Sequence, residues 1–278
     1  MNEFKDLIIG IIGGSASAGL LKGPIETLSD LWYINFGHMF SEQSEKIKIK
    51  QQIDVQEYAK QAANQISLIP SENIQEPKLN ILGPALESSK YYIEDEDMRN
   101  MFAKLLASSM DKSKNDIAHN SFVEIIKQLS PLDAKNLEIL YNKNLTAVAE
   151  IRNKSVNQNG FHVLISNIFP YNEDVKDFNV LSASLENLKR LGLIKISYDK
   201  ILTSSDGTNP YHEIENIKIV EQQNSTFNLV KRPDVQKIIN NPMYDWLKSY
   251  QEYESSYMVK GAAEITQFGR NFCNICID

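Results

Sequence analysis

A mainly α-helical chain carrying an α+β module at its C-terminal end is what this sequence predicts, and three observations carry the prediction. Apolar residues recur at helical spacing over roughly residues 24–141. Ser130-Pro131-Leu132-Asp133 has the form of a reciprocal helix cap with proline at the first helical position. A leucine-striped segment, 181–191, stops at Gly192 and leads into residues that alternate like a strand.

The chain has 278 residues, 42% of them hydrophobic and 23% charged, enough to bury a core without covalent staples and too apolar for global disorder. Element order divides it into an apolar, glycine-rich segment at 1–22, a helical bundle at 23–129 and an α+β domain at 130–278 with an insertion at about 204–258. The net charge of -7 argues against a protein whose main affinity comes from neutralising phosphates. Residues 130–278, with 16 basic and 18 acidic groups, leave room for a local basic face.

Residues 7–21 form an uncharged run of fifteen residues. As a helix it reaches about 22 Å, short of the roughly 30 Å hydrocarbon core. Glu3 and Asp6 against Lys5 give the wrong charge for a secretion signal, so the expected location is cytoplasmic or peripheral at the inner face of the membrane. Gly10, Gly13, Gly14 and Gly19 provide a small-residue face. That face reads either as a flexible buried segment or as a contact with a membrane surface or a second copy of the chain.

Pro24 opens a helix with Ile25, Leu28, Leu31, Trp32 and Phe36 on one side, ended by Gly37. Ser41 caps a long helix toward Ile66, and residues 70–77 form a loop. Residues 79–93 are helical, with Pro84 as a kink or a restart. Glu94-Asp95-Glu96-Asp97 looks like a metal site, yet consecutive helical residues diverge; the acids suit the positive end of a helix striped by Met98, Met101, Phe102, Leu105, Leu106 and Met110. Another helix spans about 117–129, and Leu137, Leu140 and Tyr141 line the one that begins at Pro131.

Beyond Tyr141 the chain becomes rich in asparagine turns around short apolar stretches such as 163–168. After the 181–191 helix, 193–198 and 214–220 alternate like strands, with Asp206-Gly207 and Asn209-Pro210 as turns between them. An aromatic insertion over 224–258 carries a short helix near 244–253, and 263–272 reads as a strand edge followed by a terminal helix. A leucine-striped helix feeding a β-wing is a winged-helix-like arrangement. It makes Lys189 and Arg190 candidate nucleic-acid contacts, helped by Ser182, Ser184 and Asn187.

Catalytic signatures do not emerge. His38, His119, His162 and His212 lack metal-ligand spacing, and no phosphate loop, dinucleotide fingerprint or nucleophile elbow appears. Asp116, His119 and Asn120 near a helix start read as a cap, and the CxxC pair Cys273 and Cys276 reads as two small apolar residues of the last helix. No catalytic, cofactor or metal residue is assigned.

The block from Met98 to Ala107, the stretch 125–134, Leu185-Glu-Asn-Leu-Lys-Arg-Leu-Gly-Leu-Ile194 and Ile265-Thr-Gln-Phe-Gly-Arg-Asn-Phe-Cys273 together resemble the abortive-infection alpha family of bacterial proteins. The resemblance covers roughly 75–278 and consists of packing and capping patterns. It implies a role in bacterial or prophage-borne defence against phage and supplies no catalytic residues. The reading that follows is a non-enzymatic helical defence protein working through a protein partner or phage component, with membrane engagement of 7–21. Its rivals are a winged-helix nucleic-acid binder and a hydrolase or nuclease with an unrecognised site.

Overall fold

The computed structural model describes residues 6–7, 9–10, 22–37, 45–157, 159–204 and 207–278. It is mainly helical, with one small four-stranded antiparallel sheet toward the C-terminal end. The chain divides into two compact units: Met1–Ala134 with Gln267–Asp278, and Lys135–Thr266.

In the first unit, α1 (Lys22–Phe36) and α2 (Glu45–Ser67) meet through an aromatic trio. The Trp32 ring lies 4.7 Å from Phe36 and 5.0 Å from Tyr58. Tyr58, Ala59, Ala62, Ala63 and Ile66 are buried at the spacing of one helical face, and burial pushes the Tyr58 phenol up from its ordinary pKa. The capping serine expected at Ser41 lies outside the described residues.

Helix α3 (Leu79–Ser89) runs through Pro84, and its buried face of Ile81, Leu82, Ala85 and Leu86 compensates the lost backbone bond. Asp95 then caps α4 (Glu96–Ser108) by accepting from the Met98 amide at 3.0 Å, with Glu96 and Asp97 in the first turn. The acidic run is therefore a helix start. Its stripe of Met98, Met101, Phe102, Leu105 and Leu106 is buried.

The helix expected over 117–129 shrinks to α5 (Phe122–Ile126). His119 Nδ1 accepts from the Ser121 amide at 3.1 Å and its backbone carbonyl accepts from Phe122 N, so a polar turn holds the stretch that would otherwise continue the helix. Helix α6 (Pro131–Lys143) opens with the expected reciprocal cap: Ser130 N–H donates to Asp133 Oδ2 at 2.8 Å, and Asp133 N–H donates to Ser130 Oγ at 3.1 Å.

The terminal helix α11 (Gln267–Cys276) belongs to this unit. Phe272 packs edge-on against Phe122, with ring centroids 5.2 Å apart. Lys104 Nζ donates to the Ile277 carbonyl at 2.5 Å, placing a cation at the negative end of the helix. Cys273 and Cys276 are both buried free thiols, and burial pushes Cys273 up to about 12, so the pair is apolar packing as expected.

The second unit is built on the sheet, ordered β2-β1-β4-β3. β1 (Leu145–Ser155) pairs antiparallel with β2 (Phe161–Ile168) on one side and with β4 (Tyr253–Ile265) on the other, while β3 (Ile194–Ser197) closes the far side of β4. The asparagine-rich turns expected after Tyr141 give way to the eleven-residue β1. Ala147, Ala149 and Glu150 have little strand preference; burial on both faces of the sheet overrides it. β4 is an interior strand where an edge was expected, because β1 and β3 flank it.

Helix α7 (Phe178–Arg190) buries Leu181, Leu185 and Leu188 and ends before Gly192, whose φ of 74° is the left-handed cap that glycine accepts. The strand expected over 214–220 is instead α8 (His212–Glu215) and the start of α9 (Ile219–Val230). Its isoleucines keep i, i+3 contacts: Ile214 is buried against Ala149, Ile151, Ile168 and Tyr211, with Ile217 beside it.

The insertion contains α9, α10 (Pro233–Ile238) and 3-10 turns over Pro242–Glu252, packed around Val230, Val235, Ile239 and Leu247. It is thus more helical than the single short helix expected, and residues 253–258 already belong to β4.

Two substitutions test these supports. Ser130→Ala should lower the unfolding free energy by about 1 kcal/mol through loss of the cap, and Leu185→Ala by about 2–5 kcal/mol through its cavity, both read from urea denaturation.

Candidate functional site on the sheet

Strand alternation places Glu150, Arg152 and Lys154 on one face of β1, opposite to the face of Ala147, Ala149 and Ile151 that fills the core. The register sets Arg152 between Val163 on β2 and Tyr257 on β4, and Lys154 opposite Phe161. Arg152 Nε donates to Glu150 in a close ion pair, and its guanidinium lies over the Phe161 ring, 4.0 Å from the centroid. Hydrogen bonding to Glu150 raises the Arg152 pKa further above its ordinary value.

Tyr198, just past β3, joins this face by crossing over Gly261. A Cβ at Gly261 would sit 2.6 Å from the tyrosine ring, so the strand needs glycine there. The Tyr198 hydroxyl donates to Asn167 Oδ1 at 2.9 Å and accepts from the Asn167 amide at 2.9 Å. Asn167, the penultimate residue of β2, has φ at 51°, a conformation asparagine tolerates, and its Nδ2 donates to Glu186 Oε1 at 2.6 Å. Burial pushes the Tyr198 phenol up to about 12, so it keeps its proton through the physiological range.

Glu186 in turn meets Lys189 Nζ at 3.5 Å, which links this sequence-predicted residue to the cluster. Arg190 points elsewhere, with Nη2 donating to Asn187 Oδ1 at 2.7 Å on the same helix. Ser182 and Ser184, expected as exposed contacts, are buried: Ser184 Oγ accepts from Asn136 Nδ2 at 2.9 Å and Ser182 meets Ser166 at 3.0 Å. Polar partners inside the unit explain why a leucine-striped helix also hides its serines.

Gly10 is exposed in a short helical stretch, and Gly13, Gly14 and Gly19 lie outside the described residues, as does His38. Among the described residues no helix is long and apolar enough to cross a membrane, and no three His, Cys, Asp or Glu side chains gather where they could hold a metal ion. His162 is exposed, its ring 5.9 Å from Tyr253, and His212 is exposed beside Asn216.

The first unit offers a cleft of about 260 Å³ bordered by Gln65, Lys104, Asp111, Lys114 and Asn274. Its lysines bind carbonyls near the end of α11, Lys104 as above and Lys114 on Asn274 at 3.5 Å. They serve that helix.

Glu150, Arg152, Asn167 and Tyr198 escape a reading by motif, because register and not sequence spacing assembles them. The legible signal was Glu150-Ile151-Arg152 on a strand, where i and i+2 share a face. Chemically, a stacked guanidinium held by a carboxylate and a protonated phenol with both hydrogen-bonding roles filled suit positioning and recognition.

Two outcomes check this geometry. Gly261→Ala should destabilise the chain by about 1–3 kcal/mol through overpacking against Tyr198. Because the folded phenol binds its proton more tightly than the unfolded one, its stabilisation is complete below pH 10 and is lost as the pH rises through about 12. Tyr198→Phe should therefore flatten the fall of stability across that window in pH-dependent urea unfolding.

Comparison with known proteins gives one family and one distant structure. The chain matches the family model described as abortive infection alpha over residues 50–276. A solved structure of an uncharacterized protein from the marine bacterium Alcanivorax borkumensis SK2 aligns with 15% identity and a TM-score of 0.31, over 59% of this chain and 94% of that one. No curated protein matches the sequence. With the match spanning most of its length, this chain belongs to the abortive infection alpha family.

Proposed function

We propose that the protein acts in bacterial defence against phage by abortive infection, as a non-enzymatic component working through protein contacts. The family match over residues 50–276 is the observation that carries this reading. Met243, Trp246 and Ile238 support the contact mode, being 74%, 60% and 45% exposed on the insertion, where large apolar side chains mark interaction surfaces. The protonated, fully bonded Tyr198 and the paired Arg152 and Lys189 favour recognition over bond making. Partial neutralisation of Lys189 by Glu186 weighs against nucleic-acid reading by α7.

Engagement of a membrane by residues 7–21 is the finer part of the same proposal, resting on their uncharged run and the glycines at 10, 13, 14 and 19.

The test is phage challenge of cells expressing the chain. Met243→Ser with Trp246→Ser should cut protection at least about tenfold in plaque counts while circular dichroism stays unchanged, as expected for aromatic anchors of an interface. Deletion of 1–22 should lower protection and shift the chain out of the membrane fraction. Full protection by the double variant would contradict the contact reading, and unchanged fractionation of the deletion would remove the membrane part.

A further inference from the structure

Asn159 and Gly160 stand in the connection between β1 and β2 and are the one Asn-Gly pair in the sequence. Asparagine is thermolabile because its carboxamide can react with the main-chain nitrogen of the next residue. The reaction needs that nitrogen free of hydrogen bonds, unshielded by a side chain, and in backbone that no helix or ladder fixes.

Asn159 meets all of these conditions. It is exposed and lies in a bend outside both strands. Among the described residues neither its side chain nor the Gly160 amide makes a hydrogen bond. The connection is tied through other groups, Ser155 N–H donating to the Gly160 carbonyl at 3.1 Å and Val156 N–H to the Glu252 carbonyl at 2.9 Å. Two other exposed asparagines show the contrast. After Asn120, the Ser121 amide is held by His119 Nδ1 at 3.1 Å, and after Asn64 the next amide belongs to the hydrogen bonds of α2.

We propose that Asn159 is a site of spontaneous deamidation, which converts the β1–β2 connection to an aspartyl or isoaspartyl form. The Gly160 nitrogen gives its proton to water and attacks Asn159 Cγ; the Cγ–Nδ2 bond breaks, ammonia leaves and a five-membered imide closes. Water then opens the imide. Addition at Cγ gives aspartate, and addition at the main-chain carbonyl carbon gives isoaspartate, with the chain running through Cγ. Both forms add a negative charge, and the second lengthens the backbone by one atom. The change falls immediately before Phe161, whose ring carries the Arg152 guanidinium at 4.0 Å.

The experiment ages the full folded chain at mildly alkaline pH and reads its peptides by mass spectrometry, with isoaspartate counted as methyl groups accepted from a protein isoaspartate methyltransferase. The peptide holding residue 159 should become about 1 Da heavier and accept methyl groups, at least about tenfold faster than those holding Asn64 and Asn120. Gly160→Ala is a clean control, since φ at 160 is not positive and a Cβ there would meet nothing within 4 Å. It should slow conversion about tenfold or more by shielding the nitrogen, with circular dichroism unchanged. Conversion at Asn159 no faster than at Asn120 overturns the proposal, whether or not the chain protects against phage. So does an unaltered rate in Gly160→Ala, or conversion confined to the urea-unfolded chain.

Discussion

The second unit depends on the antiparallel ladder between β1 and β4. It runs from Leu145 opposite Glu264 to Lys154 opposite Ser255 and decides which residues share a face. One face, with Ala147, Ala149 and Ile151, becomes the floor of a core closed by Tyr211 and Ile214. The other carries Glu150 and Arg152 and receives Tyr198 over Gly261. A slip of one residue would exchange the two faces, burying Arg152 in the apolar core and exposing Ile151. Two unlike surfaces thus follow from one register.

Tyr211 ties the loop after β3 to this ladder. Its hydroxyl donates to the Gly261 carbonyl at 2.9 Å while accepting from the Leu202 amide at 2.9 Å. Gly261 is therefore approached by two tyrosines, Tyr198 against its missing side chain and Tyr211 at its carbonyl. This convergence gives the strand little freedom where the polar cluster begins. The first unit reaches order differently, through an aromatic trio and caps that act within a few residues of the chain.

That contrast explains what could be read from the sequence. Asp95 and the Ser130–Asp133 cap were legible because a cap involves only three or four neighbouring residues. The buried stripe of Met98 to Leu106 was legible for the same reason. β1 was not, since its alanines and Glu150 become strand residues only once β4, more than a hundred positions later, supplies the hydrogen bonds. The misread strand at 214–220 is the converse: β-branched isoleucines suggested alternation, while contacts with the sheet favoured a helical spacing. The candidate site inherits the difficulty of β1. Glu150, Arg152, Asn167 and Tyr198 come from three separate segments, and only Lys189, on a helix with a strong local signal, was singled out from its position.

Native-state hydrogen exchange tests most directly whether the ladder organises the second unit. The account predicts that the amides of 147–152 and 257–263 exchange most slowly within Lys135–Thr266, opening only when that whole unit unfolds. Slowest exchange in α9 and α10, with the β1 and β4 amides opening at lower free energy, would contradict it.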